Sequence, residues 1–318
     1  MREHGGNLDQ AVQRFGGRMQ DWIDLSTGIN RQPYPIGEIE PHFWNALPSR
    51  SDLESLHEAA RQAYATKAPI LAMGGAQAAI QLLPRLAPCG RARVLAPTYN
   101  EYAAVLSAAG WHVAEVASLD ALARADLAVA VNPDGRRYDK AELLALLPCV
   151  GRLVIDESFA DATPELSLAA EAGRPGLLIL RSFGKFYGLA GLRLGFVLGA
   201  EEDIAALSAM AGPWPVSGAA IAVGWRALRD RAWARATAAR LEADCLRLDA
   251  AVKSQAWRLI GGTPLFRLYE TGDGRAAQAR LAGARIWSRI FEQRPGWLRL
   301  GLPGDESEWT RLAEVLSS

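Results

Sequence analysis

A single lysine stands among aromatic, aliphatic and glycine residues in the segment RSFGKFYGLAGLRLG at 181–195. Lys185 is one of only four lysines in the chain, whereas arginine supplies nearly all of the positive charge. Burial among apolar neighbours removes water from an ammonium group and lowers the pKa of a lysine. Because an uncharged amine can attack a carbonyl carbon, Lys185 is a candidate nucleophile, although alone it also fits a surface lysine whose stem packs on apolar neighbours.

Other polar residues follow short apolar segments that resemble strands. They are the Gly75-Ala76-Gln77 loop after ILAM, Tyr99 after RVLA, Asn132 after LAVAV, Asp156 at the end of RLVID and Ser182 at the end of LLILRS. In isolation each of them also fits a turn, a strand end or a surface role. Because binding groups collect at the carboxyl ends of strands in α/β sheets, the ordered set predicts one shared cleft.

Pyridoxal phosphate (PLP) would use every member of this set. Its aldehyde would react with Lys185, and a carboxylate such as Asp156 would keep its ring nitrogen protonated. Tyr99 could stack on the ring, and Asn132 could donate a hydrogen bond to the phenolic oxygen. Phosphate is bound well by backbone N–H groups at a helix start, by a hydroxyl and by a guanidinium. Here these groups would come from Gly75, Ala76, Gln77, Ser182 and Arg193.

The elements that would position these residues alternate between helical and strand-like patterns from about residue 50. This alternation predicts an α/β fold with a mainly parallel sheet between layers of helices. Further strand patterns near the C-terminus, including WRLI, PLFRLYE, ARIWSRIF and WLRLGL, predict a smaller α/β domain. The expected division is an N-terminal arm over the active site at 1–35, a large cofactor-binding domain at 36–218, and a linking helix with the small domain at 219–318. The turn at 210–218 would mark the boundary.

Composition narrows the function classes. The 318 residues carry a formal net charge of zero, which does not favour nucleic acid or a membrane surface as a partner. The three cysteines are odd in number and far apart, so neither a disulfide framework nor a metal site is expected. The polar N-terminus has no pattern of a signal peptide, and a cytoplasmic protein is therefore predicted.

The motifs NPDG, DES, SFGK and GLRLG have the order and spacing found in fold type I PLP enzymes of the class I and II aminotransferase type. Within that group the sequence most resembles the threonine-phosphate decarboxylases of cobalamin biosynthesis, which are relatives of histidinol-phosphate aminotransferase. HGGN at 4–7, DLSTGINRQPYP at 24–35 and RPGWLRLGLP at 294–303 extend the resemblance to essentially the whole chain. The resemblance implies PLP as cofactor, a phosphorylated amino acid as substrate and a homodimer.

The resemblance also implies a role for each motif residue. Lys185 would bond to the cofactor aldehyde, Asp156 would pair with the pyridine nitrogen, and Tyr99 would cover the ring. The remaining cofactor ligands would be Asn132 at the phenolic oxygen and, at the phosphate, Gly75, Ala76, Gln77, Ser182 and Arg193. The substrate would contact Arg299 through its α-carboxylate, Arg289 through its phosphate, and His4 and Asn30 in the N-terminal arm.

Three positions depart from the family pattern. Gly184 stands where the family usually has serine or threonine, which removes one hydroxyl from the phosphate site. Phe159 stands where many aminotransferases have a tyrosine bonded to the phenolic oxygen, so Asn132 would bind that oxygen alone. The NPDG turn is also shorter than the common form of this motif.

The implied reaction is decarboxylation of L-threonine O-3-phosphate to (R)-1-amino-2-propanol O-2-phosphate for cobalamin (vitamin B12) biosynthesis. The alternative is an aminotransferase acting on a phosphorylated amino alcohol such as histidinol phosphate, which would use the same cofactor residues. HGGN and RPGWLRLGLP favour the decarboxylase. A regulatory domain without catalysis is disfavoured by Lys185, Asp156 and Arg299, and a dinucleotide-binding enzyme by the lack of a GxGxxG motif after the first strand.

Overall fold

The computed structural model describes residues 5–317, which form two compact units. The first unit combines the N-terminal residues up to Pro33 with Lys185–Gly188 and with the C-terminal residues from Arg235. The second unit comprises Tyr34–Gly184 and Leu189–Ala234. The boundary between the second unit and the C-terminal part of the first lies inside a long helix, Arg231–Ala251. The turn at 210–218, where the sequence placed the boundary, lies within the second unit.

The strands and helices are numbered along the chain. The strands are β1 (Ile23–Asp24), β2 (Ile70–Met73), β3 (Arg91–Leu95), β4 (His112–Val116), β5 (Leu127–Val131), β6 (Arg152–Asp156), β7 (Leu177–Ser182), β8 (Gly195–Leu198), β9 (Arg258–Thr263), β10 (Phe266–Glu270), β11 (Ile286–Trp287), β12 (Arg289–Ile290) and β13 (Trp297–Gly301). The α-helices are α1 (Leu8–Phe15), α2 (His42–Asn45), α3 (Arg50–Ala63), α4 (Ala76–Leu82), α5 (Glu101–Ala108), α6 (Lys140–Leu144), α7 (Phe183–Phe186), α8 (Glu201–Ala211), α9 (Gly218–Arg229), α10 (Arg231–Ala251), α11 (Gly274–Gly283) and α12 (Glu306–Ser317).

A sheet with the strand order β2-β8-β7-β6-β5-β3-β4 forms the centre of the second unit. Only β8 runs antiparallel to its neighbours, and all other adjacent strands are parallel. The inner strands β5, β6 and β7 are buried on both faces, which is why their sequences are continuous apolar runs. The predicted α/β fold class with a mainly parallel sheet is confirmed. As a result β2, β3, β5, β6 and β7 end at the same edge.

Helices cover this sheet through apolar contacts. Ile80 of α4, Leu106 of α5 and Leu207 of α8 belong to one core with strand residues such as Val129 and Val154. Burial of this core supplies most of the free energy that holds the helices on the sheet. The strand ends that carry the predicted cofactor ligands are therefore fixed by a packed core.

The first unit contains an antiparallel sheet with the strand order β12-β13-β10-β9, and a short parallel pair of β1 with β11. The pair joins the N-terminal segment to the C-terminal part of the chain, with Ile23 opposite Ile286. Trp22 and Trp287 pack edge to face beside it, with 6.1 Å between their ring centroids. Among residues 5–317, none of the helices combines the length and the apolar character that crossing a membrane requires.

Candidate active site

The carboxyl ends of β5 and β6 bring two predicted cofactor ligands side by side. Val131, the last residue of β5, lies opposite Asp156, the last residue of β6. The next residue, Asn132, donates a hydrogen bond from its backbone nitrogen to the backbone oxygen of Asp156 over 2.9 Å. The structure thus places Asn132 and Asp156 at the same edge of the sheet.

Both carboxylate oxygens of Asp156 accept hydrogen bonds inside the protein. The hydroxyl of Tyr102 donates to Oδ2 over 2.7 Å. Ser158 donates to Oδ1 from its backbone nitrogen over 2.8 Å and from its hydroxyl over 2.5 Å. Burial, together with the negative charge of Asp156, raises the pKa of Tyr102 well above its usual range, so Tyr102 remains a neutral donor. These contacts fix the orientation of a buried carboxylate.

Tyr102 and Ser158 were not predicted from the sequence. Each lies close in sequence to a predicted ligand, Tyr102 to Tyr99 and Ser158 to Asp156. This closeness in sequence was the only feature that could have indicated them, because the sequence does not reveal which face of α5 points towards β6. Tyr99 itself is partly exposed, and its hydroxyl donates to Oε1 of Gln77 over 3.1 Å.

The start of α4 forms a cradle suited to an anion. Gly75 precedes the helix with φ +82°, and a Cβ on it would lie 2.6 Å from Nη2 of Arg193. A Cβ on Gly195 would lie 2.5 Å from the backbone nitrogen of Ala76. The two glycines therefore let a guanidinium and a strand approach the first N–H groups of the helix, which have no partner within the helix. Predicted phosphate ligands thus meet around this cradle.

Ser182 lies at the same edge, because it pairs with Gly195 and Gly195 in turn pairs with Met73. Two residues after Ser182, a Cβ on Gly184 would lie 2.8 Å from Cα of Ala190. The backbone at Ala190 therefore occupies the space that a larger residue would need. A serine or threonine at 184 would therefore require this backbone to move.

The side chain of Asn132 closes the turn that follows β5. Its Oδ1 accepts from the backbone nitrogen of Tyr138 over 3.1 Å, and its Nδ2 donates to the backbone oxygen of Tyr138 over 3.3 Å. An amide nitrogen carries two hydrogens and can donate a second hydrogen bond. A contact between Asn132 and the phenolic oxygen of PLP stays a prediction.

Lys185 lies in α7, and its segment Lys185–Gly188 belongs to the first unit. Its Nζ donates to the backbone oxygen of Thr27 over 3.4 Å. Its backbone oxygen accepts from the backbone nitrogen of Asn30 over 3.0 Å. The side chain of Asn30 is only 3% exposed and donates from Nδ2 to the backbone oxygen of Phe186 over 2.9 Å. Asn30 therefore contacts the lysine segment directly, whereas its predicted contact with the substrate stays a prediction.

Arg289 and Arg299 lie opposite each other in β12 and β13. Arg299 is half-buried by residue, its guanidinium lies 5.0 Å from the ring centroid of Phe266, and its Nη2 donates to the backbone oxygen of Ser26 over 2.6 Å. Its Nε is buried and has no hydrogen-bond partner within residues 5–317. Burial and the positive charge of Arg289 lower the pKa of Arg299 to about 9. An anion bound here would relieve the repulsion between like charges.

Gly5 and Gly6 of the HGGN motif contact Ser26 in the first unit. The backbone nitrogen of Gly6 donates to Oγ of Ser26 over 2.7 Å. A Cβ on Gly5 would lie 2.4 Å from the backbone oxygen of Ser26, so only glycine fits there. Arg299 donates to that same oxygen. His4, the remaining predicted substrate ligand, lies outside the described residues.

Comparison with known proteins agrees with this geometry. Residues 43–316 match the family described as aminotransferase class I and II. The threonine-phosphate decarboxylase of Sinorhizobium sp is 43% identical, over 99% of this chain and 97% of that protein. The threonine-phosphate decarboxylase of Pseudomonas aeruginosa is also 43% identical, with the same coverage of both chains.

The fold also matches solved structures. The histidinol-phosphate aminotransferase of Sinorhizobium meliloti, determined in complex with pyridoxal-5'-phosphate, superposes with a TM-score of 0.84 at 18% identity. The match covers 97% of this chain and 94% of that one. At such low identity this likeness concerns the fold alone. From the family match and the full-length relatives it follows that this chain belongs to the class I and II aminotransferase family.

Proposed function

We propose that this protein is a PLP-dependent carboxy-lyase that decarboxylates L-threonine O-3-phosphate to (R)-1-amino-2-propanol O-2-phosphate. The proposal is supported by the similarity over nearly the full length to two threonine-phosphate decarboxylases. The product is a phosphorylated amino alcohol, and we place the reaction in cobalamin biosynthesis, as the sequence motifs predict.

The observation that carries the proposal is the opposed pair of arginines, Arg289 and Arg299. A substrate with two anionic groups would satisfy both guanidinium groups and offset the burial of Arg299. Threonine phosphate carries a carboxylate and a phosphate, whereas histidinol phosphate carries only a phosphate. The pair therefore favours the decarboxylase over the alternative aminotransferase.

The donors and acceptors of the second unit fit PLP. The carboxylate of Asp156, held by Tyr102 and Ser158, suits a protonated ring nitrogen. A Cβ on Gly75 would clash with Arg193, so the cradle stays open only with glycine. This open cradle suits a phosphate group. When bound, PLP supplies a protonated ring that takes up the electron pair released from a bond at the substrate Cα.

The residues of this chain supply the remaining steps. Lys185 would hold the cofactor through its amine and, once free, would return a proton to the substrate Cα, directly or through water. Asp156 holds a proton at the ring nitrogen. Arg299 binds the α-carboxylate and Arg289 the phosphate, and together they fix the rotation about Cα. This rotation determines whether the carboxylate or the hydrogen is lost.

We also propose that the enzyme is a homodimer. Three large apolar side chains of the second unit, Ile36, Trp44 and Leu47, are 46%, 67% and 68% exposed. Exposed apolar residues that lie close together in sequence are typical of a surface that another chain covers. The cytoplasmic location stays a prediction from the sequence.

The reaction is tested by product analysis with protein reconstituted with PLP. We expect carbon dioxide from threonine phosphate and no keto-acid-dependent amino transfer from histidinol phosphate. Replacing Arg289 with methionine removes a charge-assisted contact to the phosphate, so kcat/KM for threonine phosphate should fall at least about tenfold. Free threonine has no phosphate, and its slow decarboxylation should change little.

Arg294→Met is the matched control, because Arg294 is exposed and lies against Trp297, outside the proposed substrate contacts. This variant should keep the wild-type kcat/KM. Equal losses for threonine and threonine phosphate in Arg289→Met would show that Arg289 does not bind the phosphate. Amino transfer from histidinol phosphate without carbon dioxide release would refute the decarboxylase and support the aminotransferase.

A further inference from the structure

The backbone around Lys185 is held by a short segment of the N-terminal part of the chain. The backbone oxygen of Lys185 accepts hydrogen bonds from the backbone nitrogens of Asn30 and Gly188, over 3.0 and 3.2 Å. The next carbonyl, that of Phe186, accepts from Nδ2 of Asn30 over 2.9 Å. One asparagine therefore binds two successive carbonyl groups, at Lys185 and at the residue after it.

Gly188 closes this arrangement. It has φ +68°, and a Cβ on it would lie 2.5 Å from the backbone oxygen of Asn30 and 2.8 Å from Cα of Pro33. The lysine segment thus approaches the backbone of residues 30–33 as closely as glycine allows. The position of the Lys185 backbone depends on the position of Asn30.

Asn30 is in turn held by Arg240 of α10, the long helix for which the sequence suggested no function. Nη2 of Arg240 donates to Oδ1 of Asn30 over 2.8 Å, and Nη1 donates to Oδ2 of Asp244 over 2.8 Å. The backbone nitrogen of Gln32 donates to the same Oδ1 over 3.0 Å. Oδ1 of Asn30 is thus fixed by a charge-assisted hydrogen bond from Arg240 and by a hydrogen bond from the backbone of Gln32. This fixes the direction in which Nδ2 points.

We propose that Asn30 and Arg240 are positioning residues, which set the backbone of Lys185 so that its amine is presented to the cofactor in one orientation. The proposal rests on the function proposed above, because it takes Lys185 as the lysine that bonds to PLP. It gives Asn30 a role different from the predicted substrate contact, since Asn30 is only 3% exposed and both polar atoms of its side chain bind protein groups.

Two variants separate the two roles of Asn30. Arg240→Met removes the charged donor to Oδ1 and changes no residue near the lysine. Asn30→Asp keeps an acceptor for Arg240 and for Gln32, but it replaces the donor to the Phe186 carbonyl with a second oxygen. The measurements are the visible circular dichroism per bound PLP without substrate, the fraction of PLP trapped on Lys185 by borohydride, and kcat and KM for threonine phosphate.

We expect both variants to bind PLP but to show a weakened visible dichroism, because the cofactor no longer has a single orientation. We also expect kcat to fall at least about tenfold in both variants, while KM changes by less than about twofold. Arg240→Met loses a charge-assisted hydrogen bond, and Asn30→Asp places an oxygen against the Phe186 carbonyl oxygen. Arg247→Met is the matched control on the same helix, since Arg247 forms an exposed pair with Glu306. It should leave all of these quantities unchanged.

A contact between Asn30 and the substrate would give a different result. If Asn30 instead binds the anionic substrate, the carboxylate of Asn30→Asp repels that substrate, so KM rises at least about tenfold while the dichroism without substrate stays normal. That outcome would overturn the proposal, as would normal dichroism and kcat in Arg240→Met. Wild-type protein without any PLP trapped on Lys185 would instead refute the function proposed above.

Discussion

At the scale of single residues, the carboxylate of Asp156, which we propose pairs with the cofactor, differs from the groups that hold it in how far the sequence reveals them. The carboxylate at the end of β6 follows from the sequence, because a strand-end acid is the expected partner of a pyridine nitrogen. Its orientation depends on Tyr102, a buried donor on a different element. Such a contact joins residues that are distant in sequence, and only the folded chain reveals it.

This dependence leads to a prediction for Tyr102→Phe. The substitution keeps the ring and its packing but leaves Oδ2 of Asp156 without its 2.7 Å donor. We expect the free energy of unfolding to fall by about 1–3 kcal/mol, the usual cost of an unsatisfied buried acceptor. We also expect kcat to fall at least about tenfold, because the carboxylate is free to rotate away from the ring nitrogen.

Urea unfolding and steady-state kinetics measure the two effects separately. Ser158→Ala provides a comparison, since it removes the hydroxyl donor to Oδ1 and leaves the backbone donor of the same residue. It should have the smaller effect on kcat. A Tyr102→Phe enzyme with normal kcat and lowered stability would mean that Tyr102 has only a structural role.

At the scale of elements, the junction of β2 and α4 shows how glycine forms the cradle that we propose binds the phosphate. Gly75→Ala would place a methyl group 2.6 Å from Nη2 of Arg193 and would force an alanine into φ +82°. We expect Arg193 to be displaced and the dissociation constant for PLP to rise at least about tenfold, as one charge-assisted phosphate contact is lost. Fluorescence titration of the cofactor-free protein measures this constant.

Gly212→Ala is the matched control for the backbone strain. Gly212 has φ +73°, and the described part of the chain has no atom within 4 Å of a Cβ built there. Both variants place an alanine at a positive φ, and only Gly75→Ala adds a clash with Arg193. If both variants bind PLP equally well, the cradle at Gly75 does not bind the phosphate.

The strands of the second unit could be predicted from the sequence, because apolar runs of four to six residues flanked by turns are typical of buried strands. The short elements could not. ARIWSRIF is typical of one strand, but the structure divides it at Ser288 into β11, which pairs with β1, and β12, which pairs with β13. Two-residue strands have no periodicity to detect, and their partners lie far away in the sequence.

At the scale of the whole molecule, the same limit applies to the division of the chain. The first unit collects three separate parts of the sequence, and one of them is only four residues long. Lys185–Gly188 joins this unit through hydrogen bonds to residues near Asn30. Local sequence patterns do not show which distant residues this segment contacts. The types of the reactive side chains were readable from the sequence, whereas the contacts that hold them were not.

The proposed homodimer gives a prediction at this scale. Light scattering during gel filtration should give twice the 34.3 kDa of a single chain. Replacing Trp44 and Leu47 with serine should shift the protein towards monomer, because both side chains are largely exposed on one chain. Leu246→Ser is the control, since Leu246 is also 68% exposed but belongs to the first unit. A wild-type mass of one chain would refute the dimer.

The contact between Gly184 and Ala190 limits which substitutions could place a hydroxyl at position 184. A Cβ at position 184 would lie 2.8 Å from Cα of Ala190, an atom that every residue type possesses. No substitution at 190 can therefore make room for a serine at 184, and only a shift of the backbone can. A serine at 184 therefore requires the turn at 190 to move as well, whatever its hydroxyl would contribute to cofactor binding.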